Sequence, residues 1–153
     1  MTRHLEFTVI GKPKPKERPR LRVFKTKTGL FKGASTYTPK NTVAYESLIR
    51  EAATQAMADN SLKMLEGCVR ITVRAFWEWP KSKFRKRNPR EEAPYTGMPD
   101  ADNVLKIICD SINGSVYKDD KQVTQAAVEK KRAKQGDDAR VVVKIWSLDD
   151  EWD

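Results

Sequence analysis

Between residues 69 and 132 the hydrophobic period changes twice, and no other feature limits the possible folds as tightly. Val69, Ile71, Val73 and Ala75 alternate with Arg70, Thr72 and Arg74, the two-residue period of a half-buried strand that runs into Phe76-Trp77. From about Asp100 the period becomes helical. At about 100° per residue, Val104, Leu105, Ile107, Ile108 and Ile112 fill one arc, and Asp102, Asn103, Lys106, Asp110 and Asn113 fill the other. Asn113-Gly114 stops this helix, and a strand pattern returns over about 122–132. A strand, a one-sided helix and a second strand in this order require a sheet with the helix laid on it.

The rest of the chain extends that plan. Leu5, Phe7 and Val9 alternate with Glu6 and Thr8, giving an early strand. It ends at GKPKPKERPRLR (11–22), where three prolines forbid regular structure and cations crowd together. Val23-Phe24 and Ser35-Thr36-Tyr37 flank a Gly-containing turn and predict a ribbon. Thr38-Pro39 reads as N-cap and first position of a helix to about Asp59, with a stripe of Tyr45, Leu48, Ile49, Ala52, Ala53 and Ala56. KSKFRKRNPREEAPYTG (81–97) has no periodicity. Strands over about 122–132 and 139–147 flank Gln135-Gly136-Asp137, a hairpin signal. The order β, ribbon, α, β, α, β, β predicts one α/β domain over 1–153, a mixed sheet with two main helices packed on it.

Composition narrows the chemistry. The 153 residues carry a net charge of +9, with 39% apolar and 33% charged. No apolar run approaches the roughly 20 residues of a membrane span, and MTRHLEFTVIGK lacks the features of a signal peptide; the expectation is a cytoplasmic protein with no membrane partner. His4 is the one histidine, and Cys68 and Cys109 stand far apart. Tetrahedral zinc wants clustered Cys and His, so the cysteines read as core or boundary residues, and carboxylates and lysines are left to do any chemistry. The basic balance points to a polyanion. Lys14, Lys16, Arg18 and Arg20 in the first loop, with Lys81, Lys83, Arg85, Lys86 and Arg87 in the second, are the expected DNA-binding residues. Trp77, Trp79 and Phe84 either stack on exposed bases or belong to the core.

Against this background, PDADNVLKIICD (99–110) gathers acids on one helix face, and Asp119-Asp120 follows after the short connection INGSVYK. A purely structural account exists: Asp100 caps the helix, and Asp102 pairs with Lys106 four residues on. Yet a cap needs one acid, and the short connection can fold the second pair back toward the first. Like charges this close raise each other's pKa unless a cation sits among them. A hard divalent ion answers that need with carboxylates, waters and substrate phosphates.

At these residues PDADNVLKIICDSINGSVYKDDKQV resembles the signature of RusA-type Holliday junction resolvases, small endodeoxyribonucleases of bacteria and their phages. Asp-x-Asp-Asn, then Lys after two residues, Asp after three more and Asp-Asp before a strand are all present, as Asp100, Asp102, Asn103, Lys106, Asp110 and Asp119-Asp120. The resemblance implies that Asp100, Asp102 and Asp120 bind Mg²⁺, with Mn²⁺ able to substitute, and that Lys106 is the catalytic lysine. Asn103, Asp110 and Asp119 would support them. It also implies a RusA-like fold and a symmetric homodimer that nicks four-way DNA junctions in recombination and repair. Two rival readings remain from the residues themselves. Pro99-Asp100 with Asp119-x-Lys121 fits the spacing of a PD-(D/E)xK nuclease, and a non-catalytic nucleic-acid-binding module would use the same cations.

Overall fold

A computed structural model describes residues 3–149, which fold into seven strands and two helices. The strands are β1 (His4–Ile10), β2 (Arg20–Lys25), β3 (Phe31–Tyr37), β4 (Val69–Trp77), β5 (Ala93–Pro94), β6 (Val123–Arg132) and β7 (Arg140–Ser147). The helices are α1 (Lys40–Asp59) and α2 (Ala101–Ile112), with single 3₁₀ turns at Lys81–Lys83 and Asp120–Gln122. Five strands form a mixed sheet in the order β1-β7-β4-β6-β5, and β2 and β3 form a separate ribbon.

The mixed character follows from the helix between β4 and β6. Parallel neighbours need a crossover; β4 and β6 are the parallel pair, and α2 lies in the connection between them. Every other pairing is antiparallel. Alternation along β1 and β4 sends Leu5, Phe7, Val9, Ile71 and Val73 inward, against α1 and α2. On α2, Val104, Ile107, Ile108 and Ile112 are at most 1% exposed, which anchors the helix with roughly 6–12 kcal/mol of gross apolar burial. The other sheet face carries long cations over aromatics, as Arg70 over Trp146 at 4.7 Å and Arg140 over Phe76 at 4.1 Å.

Four expectations change. The hairpin predicted around Gln135-Gly136-Asp137 does not form, because β6 and β7 lie on opposite sides of β4. The turn itself is real, with Gly136 at φ 89° and Asp137 N–H donating to the Lys134 carbonyl at 2.9 Å. Residues 133–139 simply have length to spare for the roughly 10 Å across one strand. The α1 N-cap is Pro39 rather than Thr38, since Pro39 has an extended ψ of 143°. Leu48, counted in the buried stripe of α1, is 50% exposed. Strand β2 begins at Arg20, directly after the last proline of the loop, where backbone N–H donors become continuous again.

Candidate active site

Helix α2 supplies the first half of the acidic group. Its apolar stripe fixes which side faces the core, so Asp102 and Lys106 are exposed while Asp110, one turn further on, is half-buried. Asp100 occupies the N-cap position, but its side chain makes no capping hydrogen bond. Among the described residues Lys106 makes no ion pair, so the Asp102–Lys106 pair of the structural account is absent. Asp100 and Asp102 keep the favourable place of acids at a helix N-terminus, but neither makes the capping bond nor the ion pair of that account among the described residues.

The connection after α2 turns sharply. Gly114, at φ 82°, donates its N–H to the Tyr117 carbonyl at 2.8 Å, and Val116 N–H donates to Ile112 at 3.1 Å. Tyr117 is fully buried, and its hydroxyl donates to the Cys109 carbonyl at 2.9 Å, pinning the returning chain to the helix. Asp119 and Asp120 are thereby folded back beside the C-terminal half of α2.

These two neighbours then part ways. Asp119 Oδ1 accepts the Lys121 N–H at 2.9 Å, which holds its carboxyl below the usual value. Gln122 Oε1 accepts the N–H groups of Lys118 and Asp119 at 2.9 and 3.0 Å, completing a capping box. Its Nε2 donates to the Leu65 and Gly67 carbonyls at 3.0 and 2.9 Å, tying the turn to the start of β4. Asp120 is pushed the other way: its hydrogen bond with Asp119, burial and the charges of Asp119 and Asp110 raise its pKa, against a smaller pull from Lys106. Gln122 was not singled out from the sequence; the Asp-x-x-Gln spacing of a capping box was its signal.

A third element joins from the N-terminal loop. Lys16 Nζ lies 2.9 Å from Glu46 of α1 and 3.6 Å from Asp110 of α2. Burial alone would lower the Lys16 pKa, but Glu46 and Asp110 outweigh it and raise the ammonium above its ordinary value. Lys16, expected among the phosphate contacts, is thus drawn inward. Arg20 faces Glu17 at 3.8 Å. Lys14, Arg18, Lys81, Lys83, Arg85, Lys86 and Arg87 are exposed with no ion pair among the described residues. The second basic loop is held from β6–β7: Gln135 Oε1 accepts from Arg85 and Arg90 N–H at 2.9 and 3.1 Å, and its Nε2 donates to the Arg85 carbonyl at 3.0 Å.

Of the aromatics, Trp77 is core, stacked 4.2 Å from Tyr95. Trp79 lies under Arg90 and Arg132, and Phe84 is exposed. Asp119 and Lys121 sit on a cap and a 3₁₀ turn rather than along a strand, which removes the strand geometry that a PD-(D/E)xK site requires.

Among the described residues no three Asp, Glu, His or Cys side chains converge tightly enough to form a ready ion cage. Mg²⁺ is commonly held by one or two carboxylates, with waters and substrate phosphate filling the rest. Carboxylates without structural bonds at the start of α2, and a crowded Asp120, match that donor chemistry.

The sequence pattern of the family Endodeoxyribonuclease RusA matches residues 11–146. The chain belongs to this family. The match takes in the ribbon, both helices and both acidic segments, and RusA membership agrees with the single α/β domain and mixed sheet found here. The chain is also similar to the uncharacterized protein YqaN of Bacillus subtilis (strain 168), with 28% identity over 131 residues, covering 82% of this chain and 86% of that protein. As a RusA relative, the chain falls within an endodeoxyribonuclease family, and among the described residues no helix is long and apolar enough to cross a membrane.

Proposed function

We propose that this protein is a divalent-metal-dependent endonuclease that resolves four-way DNA junctions by paired symmetric nicks, acting as a homodimer in DNA recombination and repair. One observation carries the reading: α2 opens on acids that neither cap it nor pair along it, beside a basic loop. Asp100, Asp102 and Asp120 would hold Mg²⁺ or Mn²⁺, the ion supplying Lewis-acid activation of water and neutralising charge on the phosphate. Lys106, exposed on the Asp102 face, would steady the scissile phosphate or the attacking water. Asp119 would keep its neighbour in place through the capping box, and Asn103 and Asp110 would shape the surroundings of the ligands. The exposed cations of 81–87, with Lys14, Arg18 and Arg20, would hold the junction arms. Lys16 would act on the acidic group rather than on phosphate.

The test is a labelled four-way junction, with linear duplex and single strand as controls, in Mg²⁺, Mn²⁺ or EDTA. Cleavage is expected on the junction with either metal and not in EDTA. Asp102→Asn removes a ligand charge while keeping shape, so cleavage should fall by at least a hundredfold and binding should persist. Light scattering should give about twice the 17.6 kDa chain mass. Tight junction binding with no cleavage in any metal would instead leave a nucleic-acid-binding module.

A further inference from the structure

The β2–β3 ribbon stands apart from the domain that carries the acids. It hydrogen-bonds to none of the five strands of the main sheet, and every residue in it except Gly33 is exposed. A two-stranded hairpin on its own is marginally stable in water. Yet this one has an ordered tip: Thr26 N–H donates to the Leu30 carbonyl at 2.8 Å, Gly29 N–H donates to Thr26 at 2.9 Å, and Leu30 N–H donates to Thr26 Oγ1 at 3.1 Å. Gly29, at φ 87°, permits that turn. The ribbon also leaves Phe24, Leu30 and Phe31 at 44%, 68% and 72% exposure. A well-formed element that sends none of its side chains into the core is built to meet something else.

The register shows what its faces offer. Arg20 pairs with Tyr37, Arg22 with Ser35 and Phe24 with Gly33, so these share one face, with Arg22 lying over Tyr37 at 4.7 Å. The other face is a short apolar row of Leu21, Val23 and Ala34 with Thr36. Around the tip stand Lys25, Lys27 and Lys32. From Arg18 to Tyr45 the chain has seven cations and no acid. A two-fold contact of ribbon on ribbon would bring those cations against their own kind with nothing in the segment to balance them. Phosphate is the complementary charge, and the major groove of duplex DNA, about 12 Å wide, admits a two-stranded ribbon.

We propose that the β2–β3 ribbon is a DNA-binding arm, separate from the loops at 11–19 and 81–87, which lays its Arg22 and Phe24 face in the groove of a duplex arm. Lys25, Lys27 and Lys32 contact the flanking phosphates. This rests on DNA being the substrate and adds the element that grips it away from the cleavage site.

The experiment compares the full chain with a variant carrying Arg22→Ala, Lys25→Ala, Lys27→Ala and Lys32→Ala. Binding to an immobile four-way junction and to linear duplex is followed by fluorescence anisotropy in EDTA across 50–200 mM salt, as roughly the range in which counterion release is read out. Each lost phosphate contact should flatten the log–log slope by about 0.9, so the variant should lose about two to four units of slope and bind at least tenfold more weakly. A charge-keeping variant, Arg22→Lys with Lys25→Arg, should retain the slope. The melting temperature should change little, because none of the four side chains reaches the core. If the full chain binds DNA and the alanine variant keeps its slope, the arm is refuted while the nuclease reading stands. If the alanine variant instead changes the particle mass, the ribbon is a protein contact and the proposal is wrong. If the full chain binds no DNA, the functional reading fails and takes the arm with it.

Discussion

Asp119 commits its carboxylate to the Lys121 amide, whereas Asp120 faces Asp119, Asp110 and Lys106 from an exposed position. Their pH responses therefore have opposite signs. Asp119 is lowered, so its contribution is present above the ordinary carboxylate value and is lost as pH falls through its depressed one. Asp120 is raised, so its charge costs stability above its elevated pKa, and that cost disappears as pH falls through it. Asp120→Asn should accordingly raise the melting temperature at neutral pH without metal while abolishing cleavage. Added Mg²⁺ should stabilise the native chain by about 1.4 kcal/mol at tenfold excess over Kd, a shift of a few degrees, and the Asn variant by much less. Asp119→Asn keeps an acceptor for the Lys121 amide and should cleave nearly normally, and Asp119→Ala should lower the melting temperature by removing the cap. Thermal melts with and without Mg²⁺, read beside junction cleavage, separate the two acids; equal loss of cleavage in both Asn variants would contradict the division.

Helix α2 shows which parts of an element can be read in advance. Its limits, its buried stripe and its stop at Asn113-Gly114 all follow from local residues, because period and capping act within a few positions. Leu48 on α1 was misread for the complementary reason. Its stripe position is correct for a helix, but whether a stripe edge is covered depends on what packs beside it. The return of the chain after α2 depends on Gly114, whose added methyl would meet no atom within 4 Å, so only the left-handed φ opposes a side chain there. Gly114→Ala should cost about 1–2 kcal/mol, seen as a drop of several degrees in melting temperature. Gly114→Asn, which tolerates that region better, should cost less. A neutral Gly114→Ala would mean the turn relaxes without strain and that Tyr117 alone holds Asp119 and Asp120 in place.

At the scale of the whole molecule, the sequence announced the α/β class, the single domain and the segments that carry acids and cations. It did not announce strand order, because Gln135-Gly136-Asp137 looks the same whether the flanking strands pair with each other or straddle β4. Nor did it announce the inward turn of Lys16, which needs Glu46 and Asp110 from two different helices. The strand order carries a kinetic consequence. β7, the last strand among the described residues, sits between β1 and β4, and His4 pairs with Trp146. β1 has no sheet partner until β7 is available, so the five-stranded sheet cannot close before β7 has been made. Such non-local pairings fold on the order of milliseconds to seconds. A chain ending at residue 138 should leave the β1 amides open to hydrogen exchange and the chain open to protease, even with β4, α2 and β6 present. Protected β1 amides in that fragment would mean that β1 finds another partner first, and a ribosome-bound chain could then begin folding from its N-terminal end.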